Sequence, residues 1–529
     1  MSRDHRKGAK DAKEWMVWRA ALLIYLSPMS PCFLGLDAGT GSCKSALLDE
    51  HGNLIAEGSG AYRLPAPQTT TDQDAEAVLA GILQAGYEAL EKAGISPQEV
   101  AGISLGAAMH SLLAVDAHGQ PLTGAMTWAD NRAQAQADAL RGTPEGDALY
   151  HRTGCPIHPM YPLYKARWLK EHRPELFRRA AKLVTLRDYA LYRLCGVWVT
   201  DPSMASSTGW FNLHTLGWDA DALAFSGVSA AQLPEIHPPD ASFPLLPSPL
   251  ADALGLLPGT PVTLGCSDGV NSNLGAGAVR EGQAVLMIGT SGALRQFSAQ
   301  ARFHPGQGSW CYAVERGRFL AGGAINNGGL ALTTLRDWFA ALPGASALTV
   351  EDLLALAEQA PPGAGGLVAL PFFSGERSPD WNAQARGVFF GLTPAHRPAH
   401  LARAVLEGVA FRLRTVMEML AETGAVIREI RASGGFVRSP LWLSIVASVL
   451  GQLLHLPPSG ETSSRGAAFW AMRGAGALAD FDILPERIAI VQTVHPDPLA
   501  QERYQRVYPL AQSLYRALLP FYDALAHLD

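Results

Sequence analysis

A glycine-rich turn between two short apolar strands constrains this chain most. Cys32-Phe33-Leu34-Gly35-Leu36 runs into Asp37-Ala-Gly-Thr-Gly-Ser-Cys-Lys44, and Ser45-Ala46-Leu47-Leu48-Asp49 follows. His51-Gly52-Asn53 then turns the chain into Leu54–Glu57, so it opens as a β-meander and not as a strand-to-helix unit. The layout returns later, where Gln283–Ile288 turns at Gly289-Thr290-Ser291-Gly292 and continues as Ala293–Phe297. Two such units far apart in sequence predict an α/β protein of two meander-plus-helix halves facing each other, not a short-period repeat.

A chain of 529 residues is too long for one core. No low-complexity linker interrupts it, and the junction falls near 276–280, giving an N-terminal domain over 31–277 and a C-terminal domain over 278–529. Val100–Leu105 and Pro261–Leu264 read as further buried strands. Helical spacing marks 72–92, 164–172, 174–181, 186–194, 220–226, 328–340, 351–359, 397–423, 439–451, 463–474 and 499–526. In the first of these Asp72 or Asp74 can cap, and Ala77, Leu79, Ile82, Leu83, Tyr87 and Leu90 recur on one face.

Residues 1–30 stand apart. A basic stretch precedes the apolar run Trp15–Leu26, but Arg19 interrupts that run and no small-residue cleavage site follows. It is too short to span a bilayer, so a disordered extension is expected, with the functional chain starting near Met29. Apolar residues at 48% and charged ones at 17% suit a soluble globular enzyme, expected in the cytoplasm. The formal net charge of −6 and the lack of a long basic run elsewhere argue against nucleic acid or a membrane surface as partner. Six isolated cysteines without zinc spacing read as reduced thiols used in packing.

A turn of Gly, Thr and Ser offers backbone N–H groups and hydroxyls to an anion with no Cβ in the way. Two facing turns can clamp the phosphates of ATP, with Asp37 placed to hold Mg²⁺ and Lys44 adding a point charge. Two other readings fail on local grounds. Gly39–Ser45 resembles the end of a Walker A loop, yet Cys43 replaces its glycine and a strand follows where a helix is required. Gly265-Cys266-Ser267-Asp268-Gly269 matches a hydrolase nucleophile elbow, but no His-Gly oxyanion segment precedes it and both phosphate turns would go unused.

The ordered set Asp37–Lys44, Met109-His110, Trp128-Ala-Asp130-Asn-Arg132, Gly265–Asp268, Gly289–Gly292, Gly375-Glu376-Arg377-Ser-Pro379 and Ala432-Ser-Gly434-Gly435 resembles the FGGY carbohydrate kinases over nearly all of 31–480. Ala108–Asp116, Thr127–Arg132 and Thr153–Met160 are most similar to the gluconate kinase branch, and xylulokinases share part of this.

The resemblance implies two actin-like ATPase domains of RNase H-like fold with a central cleft for ATP, Mg²⁺ and a small sugar or sugar acid. It implies transfer to a terminal hydroxyl, D-gluconate to 6-phosphogluconate first, xylulose or another polyol or ketose second, and it leaves a homodimer open. A non-catalytic actin-like ATP sensor is the reading from another class; the retained Asp268 and acceptor segment speak against it.

Residue by residue, Asp268 is implied as general base, its other reading being a helix cap. Gly39, Thr40, Gly41, Ser42, Lys44, Gly289, Thr290 and Ser291 would hold phosphate. Gly329, Gly434, Gly435 and Ser439 would lie on the adenosine side, with Phe436 at the adenine rim. Met109, His110, Trp128, Asp130 and Arg132 would contact the acceptor, the other reading of Trp128, Asp130 and Arg132 being a buried ion pair that braces their loop; Arg132 and Lys165 are the cations on hand for a substrate carboxylate. Glu376 and Arg377 are expected to pair structurally.

Overall fold

The structure, a computed structural model, describes residues 30–62, 72–342, 348–458, 461–526 and 528. The extension expected over 1–30 lies outside the described residues except for Ser30. Two mixed sheets carry the fold. The first is built from β1 (Cys32–Ala38), β2 (Ser42–Leu48), β3 (Leu54–Ala61), β4 (Val100–Ala107), β5 (Ser242–Pro244) and β6 (Pro261–Thr263), in the order β5-β6-β4-β1-β2-β3. The second uses β7 (Gln283–Ile288), β8 (Gly292–Ser298), β9 (Trp310–Glu315), β10 (Arg318–Ile325), β11 (Glu429–Ser433), β12 (Leu454–Leu456) and β13 (Gln492–Val494), ordered β9-β10-β8-β7-β11-β12-β13.

The sheets repeat one plan. β1 pairs antiparallel with β2 and parallel with β4, as β7 pairs antiparallel with β8 and parallel with β11. Each sheet ends in an antiparallel edge pair, β5 with β6 and β12 with β13. The glycine turns therefore occupy equivalent places, between the first two strands of each sheet.

Helices cover the sheets. In α1 (Ala75–Ala93) the carboxylate of Asp74 accepts the N–H groups of Glu76 and Ala77, while Asp72 belongs to a two-residue strand. Val78, Leu79, Ile82 and Leu83 bury its inner face, each contributing about 1.5–3 kcal/mol. Tyr87, expected on that face, is 47% exposed.

The other helices that matter for the site are α2 (Asp268–Gly275), α3 (Gly329–Ala340), α4 (Pro398–Glu422), α5 (Pro440–Leu450), α6 (Thr462–Gly474) and α7 (Pro498–Ala526). Although α6 lies between β12 and β13 of the second sheet, it packs back onto the first: Ala468, Phe469, Trp470 and Met472 share a core with Phe33 and Leu48. A linear split of the chain into two halves thus misses one helix that crosses back. A Cβ on Gly35 in β1 would stand 1.9 Å from the Ser464 carbonyl, so the two backbones touch.

All six cysteines are free and buried. Among the described residues no helix is long and apolar enough to cross a membrane.

Candidate active site

Both glycine turns stand open at one end of their sheets. In the first, Asp37 pairs across the ladder with Lys44, Gly39 N–H donates to the Ser42 carbonyl at 3.1 Å, and Thr40 and Gly41 are exposed. Lys44 lies 3.6 Å from Glu461 across a wet ion pair. In the second, Gly289 N–H donates to the Ser291 carbonyl at 2.9 Å. The first turn of α3 braces it: Gly329 N–H donates to the Gly289 carbonyl at 2.7 Å, and Leu330 N–H to that of Thr290 at 3.0 Å. The Gly329 N–H is therefore committed to the phosphate turn itself.

Gly434, at φ 93°, packs against the end of β7, where a Cβ would meet the Ile288 carbonyl at 2.5 Å; Gly434 and Gly435 are exposed beside the second turn. The Ser439 hydroxyl accepts the Trp442 N–H and caps α5. Phe436, expected at an adenine rim, points into the core edge-on to Trp442.

Two carboxylates neighbour each other beside the first turn. Asp37 ends β1, is buried, and leaves its Oδ1 without a hydrogen-bond partner. Asp268 is the first residue of α2; Ser267 takes the capping position, and Asp268 Oδ1 accepts only the N–H of Gly269 next to it, at 2.7 Å. Burial raises the pKa of both. Asp268 raises Asp37 further, whereas the guanidinium groups of Arg295 and Arg377 pull Asp268 back down. Two carboxylates that destabilise each other's charge around a buried, unpartnered oxygen fit a divalent cation.

The acceptor side draws on both sheets. His110 sits at φ 68°, a conformation uncommon outside glycine and one that clusters at functional sites. Its Nδ1 hydrogen bonds to the Ser207 carbonyl at 2.7 Å, and burial lowers its pKa to about 3, so the ring is neutral and Nε2 is an acceptor. Tyr161 from the first half and Tyr312 from the second stand edge-on to it, their hydroxyls 3.1 Å apart. Trp128 links the first glycine turn to the second half of the chain: its Nε1–H donates to Thr40 Oγ1 at 3.0 Å, and its ring lies 4.9 Å from the Arg377 guanidinium.

Asp130 and Arg132 face one another instead of the pocket. Arg132 Nε lies 2.7 Å from Asp130 Oδ2, its Nη2 pairs with Asp72, and its guanidinium packs on Trp168. Lys165 is fully buried and donates to the carbonyls of Thr127 at 2.6 Å, His110 at 2.8 Å and Met126 at 3.4 Å.

Set beside known proteins, residues 32–275 match the model of the N-terminal domain of the FGGY family of carbohydrate kinases, and residues 284–475 that of its C-terminal domain. The chain belongs to the FGGY family of carbohydrate kinases. It is 36% identical over 507 residues to gluconokinase of Bacillus licheniformis, covering 94% of this chain and 98% of that one. Identity to xylulose kinase of Escherichia coli (strain K12) is 31% over 500 residues, covering 92% and 99%. The structure of gluconate kinase from Lactobacillus acidophilus superimposes with a TM-score of 0.86 at 32% identity, over 94% of this chain and 100% of that one.

In this FGGY kinase Ser42–Leu48 is a strand, which a P-loop does not allow, and Ser267 is wholly buried, which a hydrolase nucleophile cannot be. Among the described residues no close ion pair joins the Glu376 and Arg377 side chains, although each charge favours the other. Glu376 Oε1 accepts the N–H groups of Asn326 at 2.6 Å and Arg377 at 2.8 Å, and the Arg377 guanidinium turns to the cleft. Sequence reasoning gave Arg295 in β8 no role, though an arginine in a wholly buried strand is the kind of residue that needs a partner.

Lys165 ties the His110 and Thr127 segments into one floor. Lys165→Met removes its donors and strands buried carbonyls, so it should lower unfolding free energy by about 1–3 kcal/mol in urea titrations and raise the acceptor KM.

Proposed function

We propose that this kinase transfers the γ-phosphoryl group of ATP to the terminal hydroxyl of D-gluconate, giving 6-phosphogluconate and ADP. One observation carries the acceptor reading: the buried guanidinium of Arg295 stands beside Asp268, its Nε 3.6 Å from where a Cβ on Gly269 would lie, a setting that suits an acceptor bearing its own negative charge. The higher identity to a gluconokinase than to a xylulose kinase supports it.

The turns at Gly39–Ser42 and Gly289–Ser291 receive the phosphates from opposite sides, with Lys44 beside the first and Gly434 and Gly435 toward the adenosine. Asp37, with Asp268 facing it, would hold Mg²⁺, which when bound offsets the phosphate charge. His110 Nε2 accepts a hydrogen bond from an acceptor hydroxyl, and Met109 supplies an apolar wall. Asp130 and Arg132 hold the loop that presents Trp128.

The Asp268 carboxylate takes the hydroxyl proton as that oxygen bonds to the γ-phosphorus and the bond to the β-phosphate oxygen breaks. Closure of the halves excludes water that would otherwise compete for the phosphoryl group.

The test is ATP consumption with gluconate, xylulose, glycerol, ribulose and erythritol. Gluconate should give the highest kcat/KM, and preference for any neutral acceptor overturns the reading.

A further inference from the structure

We infer that Arg295 selects for an acid acceptor, its guanidinium receiving the substrate carboxylate at the end remote from the reacting hydroxyl; this rests on the gluconate reading above. Of the cations around the pocket, Arg132 and Lys165 are committed to protein partners. Arg377 gives one N–H to the Ile325 carbonyl, at 3.0 Å, and stacks on Trp128. It also lies in the Gly375–Pro379 segment shared with the family at large, which suits a role common to neutral and acidic acceptors.

Arg377 also leaves its Nε without a hydrogen-bond partner among the described residues, but Arg295 leaves two nitrogens so. Arg295 is 6% exposed, and its Nε and Nη1 have no hydrogen-bond partner among the described residues. Such a group is costly to bury unless a ligand completes it, because each unmet donor on a charged group forfeits its hydration.

Its placement points to the acceptor and not to ATP. Arg295 lies three residues along β8 from Gly292, about 10 Å from the phosphate turn. It shares a strand face with Phe297, which packs in the core that holds Tyr161, Tyr312 and Val270. A Cβ on Gly269, beside Asp268, would stand 3.6 Å from Arg295 Nε and 3.3 Å from Met109 Cε, so the guanidinium and the apolar wall of the pocket converge beside the base. A planar fork of donors meeting a planar carboxylate is the pairing that a hydroxymethyl group cannot replace.

The test compares kcat/KM for D-gluconate with that for D-glucitol, the same carbon chain with a hydroxymethyl group in place of the carboxylate, and for D-xylulose. Wild type, Arg295→Met and Arg295→Lys are assayed at pH 8 with unfolding curves for each. Arg295→Met should cut the ratio of gluconate to neutral acceptor about 100-fold, chiefly through gluconate KM. Arg295→Lys should recover part of that ratio, and it carries the test alone if the methionine variant does not fold.

An unchanged ratio, whether all acceptors fall together or none does, refutes the carboxylate role while leaving gluconate as substrate. If the wild type itself prefers the neutral acceptors, the gluconate reading fails, and this assignment fails with it.

Discussion

Asp268→Asn should lower kcat about 10³- to 10⁴-fold while ATP still binds, because it removes the carboxylate proposed to take the acceptor proton and keeps its shape. Asparagine cannot accept a proton at this pH, yet it can still accept the Gly269 N–H that orients residue 268 at the head of α2. The fold and the two phosphate turns should therefore survive, and calorimetry with ATP should give a Kd within a few-fold of wild type. Turnover like wild type would remove Asp268 from the role of base.

The pH profile supplies an independent check. A base works only when ionised, and burial raises the pKa of Asp268 above the ordinary aspartate range, with Arg295 and Arg377 opposing that shift. Activity should thus fail on the acid side at a higher pH than a surface aspartate would give, and Arg295→Met, which removes the strongest opposing charge, should move that limb higher still.

The strands and turns were legible because their signals are local. Apolar runs of about five residues define β1 and β7, and the turns of Gly, Thr and Ser that end them place β2 and β8, without any distant information. Helix ends followed for the same reason, as at α4, which starts on Pro398, and α1, which starts after Asp74.

What could not be read was the company each charged side chain keeps. Lys165 looks like a free cation in the sequence, and Arg132 reads either as a substrate contact or as half of a loop-bracing ion pair; Asp72 and three carbonyls from distant segments claim them. Arg377 looks like half of a local ion pair with Glu376, and instead turns to Trp128, which lies in the other half of the chain. Asp130 sits two residues from Arg132, but Asp72 and the three carbonyls reach these cations only through tertiary packing, so no window of sequence contains those partners. The same holds for α6, whose amphipathic pattern does not say which sheet it covers.

That crossing helix leads to the largest effect expected outside the chemistry. Gly466→Ala should cost about 3 kcal/mol or more of stability and lower kcat about 100-fold, although position 466 touches neither substrate. Taken by itself, alanine in a helix interior is better than glycine by about 1 kcal/mol, so propensity predicts a gain. Sterics decide otherwise. A Cβ at 466 would stand 1.9 Å from the Asn271 carbonyl of α2, and one at Gly275 would stand 1.8 Å from the Thr462 carbonyl of α6. Both obstacles are backbone, which cannot rotate away as a side chain can.

Relief requires α2 and α6 to separate, and α2 carries Asp268 at its first position, so the base moves with the helix. Gly102→Ala is the control: its Cβ would meet nothing closer than 3.6 Å, and its unfolding midpoint and turnover should stay near wild type. Urea unfolding and steady-state kinetics on the two variants separate the cases. A Gly466→Ala protein as stable and active as Gly102→Ala would mean that the backbone seating of α2 on α6 does not set the position of the base.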